Sequence, residues 1–163
     1  MKEWTPARFR SFVISQLRGA RWPAKFDCIK KAYVKDGVNP RTGRKCKLHR
    51  CEKCGESFPK NKVQADHIEP VVGVDGFQGW DLYIERMFCG PEGFQCLCKG
   101  CHADKTLMER YKIKEEDLEA HKKLIAFKKM KAAQQAKLLS QLKLGCGTNG
   151  RDRIGIYKKH LKL

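Results

Sequence analysis

Two Cys-x2-Cys pairs, Cys51-Glu52-Lys53-Cys54 and Cys98-Lys99-Gly100-Cys101, constrain what this chain can fold into more than any other feature. Four thiolates in two such knuckles suit one structural zinc in a tetrahedral site. The 43 residues between Cys54 and Cys98 exceed zinc-ribbon spacing, so the loop closed by the metal must hold a unit of its own. Cys46 and Cys96 are near enough to substitute as ligands but fall outside a Cys-x2-Cys pair, and Cys28, Cys89 and Cys146 read as small buried or incidental residues. The nine cysteines are odd in number, and the chain opens Met1-Lys2-Glu3-Trp4-Thr5-Pro6 without an apolar leader. Thiolate metal ligands in a reducing cytoplasm account for them better than a secreted disulfide scaffold. No apolar run approaches the ~18 residues of a membrane span.

A length of 163 residues suits one ordinary domain, or a small module with helical extensions whose modest core a metal would support. The formal charge of +17 is unevenly spread. Residues 1 to 50 carry 14 Lys and Arg against 3 Asp and Glu, residues 51 to 110 carry 7 against 10, and residues 111 to 163 carry 14 against 5. A slightly acidic centre between two basic arms is the footprint of a nucleic-acid binder whose arms hold phosphates and whose centre holds cations.

Thr5-Pro6 is a helix start, and Phe9, Phe12, Val13, Ile14 and Leu17 follow at helical spacing with arginines at 8, 10, 18 and 21. Trp22-Pro23 ends that helix; Phe26, Ile29 and Tyr33 predict a second. The stretch from Asp36 to Gly43 then reads as a turn-rich linker. Residues 62 to 68 predict a short strand closed by Pro70, followed by a glycine-rich loop to Gly79. Trp80, Tyr83, Ile84, Met87 and Phe88 predict a short helix. Phe94 to Cys98 reads as a second strand, and Cys101 to about Tyr111 as a helix. Glu115 to Lys143 reads as one long lysine-rich helix, acidic at its start and basic towards its end as the helix dipole favours, with a reach of roughly 40 Å. Arg151 to Leu163 receives no assignment.

Asp66, His67 and His102 remain for chemistry. Asp66 and His102 can offer an oxygen and a nitrogen to a divalent cation, and His67 can act as a general base near neutral pH. Adjacent strand residues face opposite ways, so Asp66 and His67 can address one phosphate only where the strand ends or twists. His102 follows Cys101 directly, so the knuckle would aim it. Lys99, Lys105, Arg8 and Arg18 are candidates for substrate phosphate. His49, His121 and His160 read as solvated or phosphate-facing.

From about Cys51 to Lys112, roughly 60 residues, the Cys-x2-Cys pairs, the Ala65-Asp66-His67-Ile68-Glu69-Pro70 segment and Cys101-His102 resemble an HNH endonuclease of the ββα-metal class, in the four-cysteine zinc-bearing branch common among phage-encoded and homing nucleases. The resemblance implies an α+β fold: a ββα-metal core with structural zinc on Cys51, Cys54, Cys98 and Cys101, flanked by basic helical extensions. It implies a magnesium or similar divalent ion on Asp66 and His102, water activated by His67, and products with a 5′-phosphate and a 3′-hydroxyl. One position departs from the family. Gly93, in Gly93-Phe94-Gln95-Cys96-Leu97-Cys98, stands where the family's asparagine pins the active-site loop.

The expected organisation is a basic helical DNA-binding arm over residues 1–50, the nuclease module over 51–112, and a lysine-rich long helix with a basic tail over 113–163. The expected activity is nicking or double-strand cleavage of duplex DNA in the cytoplasm, a bacterial host's if phage-encoded, by a monomeric or weakly self-associating chain, with a homodimer or a phage protein as the partner options. The rival expectations are a catalytically weak zinc-bearing nucleic-acid-binding protein and a nuclease subunit of a phage packaging or recombination complex.

Overall fold

A computed structural model describes residues 3–163 and is of the α+β class. The Thr5 side chain accepts from the Arg8 amide at 3.3 Å and opens α1 (Pro6–Gly19), which buries no residue and leaves Trp4, Phe9 and Phe12 exposed. Pro23 at the first helical position opens α2 (Pro23–Lys31).

The next segment corrects the sequence reading. Instead of a linker, β1 (Tyr33–Val38) and β2 (Lys45–Arg50) form an antiparallel hairpin, and β3 (Ser57–Pro59) pairs with β2 to complete a sheet ordered β1-β2-β3. The residues between β1 and β2 are the hairpin's turn: the Asn39 amide donates to the Arg44 carbonyl at 2.9 Å, and Gly43 takes the left-handed φ of +67° that glycine tolerates. Lysines at 45 and 47 on the outward face of β2 hide its alternation from a reading based on hydrophobicity. The arm over residues 1–50 is therefore not wholly helical.

The second sheet is the pair β4 (Val63–His67) and β5 (Phe94–Cys98), antiparallel with Asp66 opposite Gln95 and His67 opposite Phe94. Between them lie the glycine-rich loop and α3 (Trp80–Met87), and α4 (Lys99–Tyr111) continues directly from β5. Ala24 and Cys28 of α2 pack with Val63, Phe94 and Cys96 into a small buried cluster, so α2 backs the β4-β5 pair. Cys51, Leu97 and Cys98 form a second cluster beside it.

By packing, the chain divides into two compact units, Met1–Thr106 and Leu107–Leu163. The second unit also departs from expectation: the single long helix is two, α5 (Leu118–Lys129) and α6 (Ala132–Gln141), with Met130 and Lys131 extended between them. Gln135 explains the break. Its buried side-chain amide donates to the Phe127 carbonyl at 3.0 Å, and its oxygen accepts from Arg153 Nε at 3.0 Å. A polar side chain thus caps the end of α5, and folding back lets Leu124, Phe127 and Leu139 share a core with Tyr157, stacked on Phe127 at 4.2 Å. Tyr157 belongs to α7 (Gly150–His160), capped by the Asn149 side chain. Among the described residues, no helix is long and apolar enough to cross a membrane.

Candidate metal centre

The first knuckle lies between β2 and β3, where Gly55 adopts φ +74° and its amide donates to the Cys51 carbonyl at 2.9 Å. The second lies where β5 passes into α4. The Sγ atoms of Cys51, Cys54, Cys98 and Cys101 fall within 4.8 Å of one another, against about 3.8 Å between sulfurs of a tetrahedron with ~2.3 Å zinc–sulfur bonds. The four cysteines can therefore hold a metal such as zinc. Backbone amides prepare the site: Cys98 N–H donates to Cys51 Sγ at 3.3 Å, and Cys101 N–H to Cys98 Sγ at 3.4 Å. Burial opposes the thiolate of Cys51, but amides of Cys54, Cys98 and Lys53 outweigh it and bring that thiol down to about 7. Burial and three neighbouring thiols push Cys101 up. Cys51 is thus the readier to ionise, while Cys54 and Cys101, both pushed up, gain from a cation. Cys96, buried near Cys28, is pushed up to about 12 and stays a thiol; it lies outside the four-cysteine cluster, as does Cys46.

Glu52 joins the first knuckle to the second sheet. Its amide donates to the Cys96 carbonyl at 2.9 Å, and its carboxylate accepts from the Cys96 amide at 2.8 Å.

Asp66, at the penultimate position of β4, gathers the polar groups. Its Oδ1 lies 3.2 Å from His102 Nε2, and its Oδ2 lies 2.8 Å from Lys105 Nζ and 3.2 Å from Gln95 Nε2. Lys105 also donates to the His67 carbonyl at 2.6 Å. His102 and Lys105 sit one turn apart on α4 and so share a face. The pair Asp66 and His102 fits a small divalent cation, because neighbouring ligands on ~2.1 Å bonds lie about 3 Å apart.

The ring of His67 has different neighbours. Its Nε2 lies 3.2 Å from the Met87 carbonyl, and Phe94 lies against it with ring centroids 4.5 Å apart. A carbonyl only accepts, so in the neutral ring Nε2 carries the hydrogen and Nδ1 keeps its lone pair. Burial holds this imidazole below its usual range; the Met87 hydrogen bond works against that, and Lys25 works with it.

Two backbone hydrogen bonds and one from a side chain hold the segment that follows Met87, the last residue of α3. Ile68 N–H donates to the Gly93 carbonyl at 2.9 Å, Gly93 N–H donates to Gly90 at 3.0 Å, and Trp22 Nε1 donates to the Cys89 carbonyl at 2.7 Å. At Gly93 a Cβ would meet Cys89 Sγ at 2.5 Å, so this loop has no room for an asparagine without movement of Cys89.

Of the residues singled out from the sequence, Asp66, His102 and Lys105 converge, and His67 stands beside them with its ring turned to Met87 and Phe94. Lys99, Arg8 and Arg18 are exposed and join none of these contacts; Arg8 lies over the Trp4 ring instead. His49, read as solvated, is buried. Gln95, Trp22, Glu52 and the Met87 carbonyl escaped the sequence reading. The register that sets Gln95 opposite Asp66 follows from hairpin pairing, which composition does not encode.

Comparison with protein families, with curated proteins and with solved structures found no match to this chain.

Proposed function

We propose that the chain is a metal-dependent DNA endonuclease of the HNH kind, with β4, β5 and α4 as a ββα-metal core braced by zinc on Cys51, Cys54, Cys98 and Cys101. The observation that carries this reading is the approach of Asp66 Oδ1 to His102 Nε2 at 3.2 Å, two residues distant in sequence brought to the spacing of neighbouring metal ligands. A divalent cation bound there would polarise the scissile phosphate and offset charge on the leaving oxygen.

The chain's own groups supply the remainder. His67, kept neutral by burial and with Nε2 committed to Met87, presents Nδ1 to accept a proton from the attacking water. Lys105 holds Asp66 in place and is positioned to pass to a substrate phosphate once a cation takes its place on the carboxylate. The zinc knuckle fixes Cys101 and so aims His102, the next residue. The basic residues on either side of the core engage the DNA backbone.

The test is incubation of supercoiled plasmid with the protein, with and without magnesium, beside His67→Ala. Magnesium-dependent nicking or linearisation lost in the variant is the expected result. Plasmid left intact across several divalent ions sinks the reading. One alternative has a specific observation in its favour: Asp66 Oδ2 is held by both Lys105 and Gln95, and Gly93 stands where HNH nucleases carry asparagine. That arrangement would equally serve a zinc-bearing nucleic-acid-binding protein that does not cut.

A further inference from the structure

On the side of β4 that faces α2 and the β1-β2 hairpin lies an open groove of about 1000 Å³, at the upper end of the ~300–1,000 Å³ typical of small-ligand sites. Its cations are Arg21, Lys25, Lys30, Lys47 and Lys60. Among its described lining residues Asp27 alone carries a carboxylate, and that carboxylate is ion-paired with Lys30 at 3.0 Å. The groove therefore attracts anions.

Two aromatic rings stand open in it. Phe26 is 44% exposed and Tyr33 is 43% exposed, a large apolar surface to leave in water unless something covers it. Each ring has a cation beside it: the Arg21 guanidinium lies 6.0 Å from the Phe26 centroid, and Lys47 Nζ lies 5.9 Å from that of Tyr33. Beneath Tyr33, edge-on at 6.1 Å, His49 is buried to 4% exposure.

We infer that this groove binds single-stranded DNA, bases stacking on Phe26 and Tyr33 while Arg21, Lys25, Lys47 and Lys60 take the phosphates. A ring with a cation beside it, found twice, suits a base with its neighbouring phosphate. A duplex gives the rings no base face to stack on, because its bases are already stacked on one another. Lys25 connects the groove to the chemistry: it lines the groove and its charge reaches the His67 ring, and Ala65, the last groove residue of β4, precedes Asp66. Where a bound strand continues past Lys25 to the His67 ring, the preferred substrate carries a single-stranded segment beside the scissile bond. That preference rests on the nuclease reading; the binding does not, since it uses neither Asp66 nor His67.

The test uses the full-length, zinc-loaded chain and a fluorescent oligo(dT) in magnesium-free buffer, read by anisotropy. Phe26→Ala and Tyr33→Ala should each weaken oligo(dT) binding by about 5- to 150-fold, the loss of one stacked base, with zinc content kept and duplex affinity little changed. Phe26→Tyr and Tyr33→Phe should restore it. Should an alanine variant fail to fold, photo-crosslinking of 5-iodouracil DNA to the wild-type chain replaces it, with crosslinks expected at Phe26 or Tyr33. Oligo(dT) affinity within twofold of wild type in a folded Phe26→Ala/Tyr33→Ala variant overturns the inference, as do crosslinks found only outside the groove. The plasmid assay separates the two claims: intact plasmid with ring-dependent oligo(dT) binding sinks the nuclease and keeps the groove. Cleavage with ring-independent binding does the reverse.

Discussion

Asp66 shows how one carboxylate can be contested. If the chain is the proposed nuclease, Lys105, whose Nζ lies 2.8 Å from Oδ2, competes with the divalent cation for the Asp66 carboxylate, so Lys105→Met should lower the magnesium concentration needed for half-maximal cleavage while raising KM, as a phosphate contact is lost with the competitor. A titration of rate against magnesium at several DNA concentrations checks both effects. In the proposed reaction His67 sets the pH range. Activity needs its neutral form, and burial lowers its folded pKa, so the rate rises with pH through a value below the unperturbed ~6.5 and is lost as pH falls through it. A pH–rate profile of kcat/KM with an acid limb above ~6.5 would contradict the assignment. Trp22 acts one step further out. Trp22→Phe leaves the Cys89 carbonyl without its 2.7 Å donor, at a cost of about 1 kcal/mol to the segment that follows α3 and Met87. Cleavage should fall several-fold through kcat with zinc stoichiometry unchanged.

At the level of elements, the parts legible in the sequence were those with a strong local period or a chemical signature. Thr5-Pro6 opens α1 as its cap chemistry requires, β4 and β5 lie where β-branched and apolar residues cluster, and the four cysteines of the two knuckles are the four that meet in space. What was not legible depends on partners distant in sequence. The β1-β2 hairpin was hidden by outward lysines, and the break at Met130-Lys131 by a lysine-rich helical pattern that continues across it. The bonds of Gln135 to the Phe127 carbonyl and Arg153, with the core that Leu124, Phe127, Leu139 and Tyr157 share, favour two helices over one. Phe127→Ala should therefore cost about 3–5 kcal/mol in the second unit, seen as early loss of amide protection over α5, α6 and α7 in hydrogen exchange. Similarly, Asp66, His67 and His102 could be listed from sequence, but the turn of the His67 ring towards Met87 depends on where α3 ends.

For the whole molecule, charge of one sign predominates: +17 at pH 7. Duplex affinity should fall linearly on a log–log plot against salt, with a slope near −0.9 for each phosphate neutralised, and charge reversal at Lys25 or Lys47 should reduce that slope. Metal removal should act well beyond the knuckles, because the first of them holds Glu52 against the outer side of β5. The Glu52 backbone and carboxylate occupy both hydrogen-bonding groups of Cys96, much as a further strand would. Without the metal, that short stretch of β5 becomes an open sheet border bearing Phe94, Cys96 and Leu97, of the kind on which other chains add. Loss of the metal should then appear first as self-association: light scattering should rise on chelation before secondary structure falls, and Glu52→Ala should scatter at metal concentrations that keep the native chain clear.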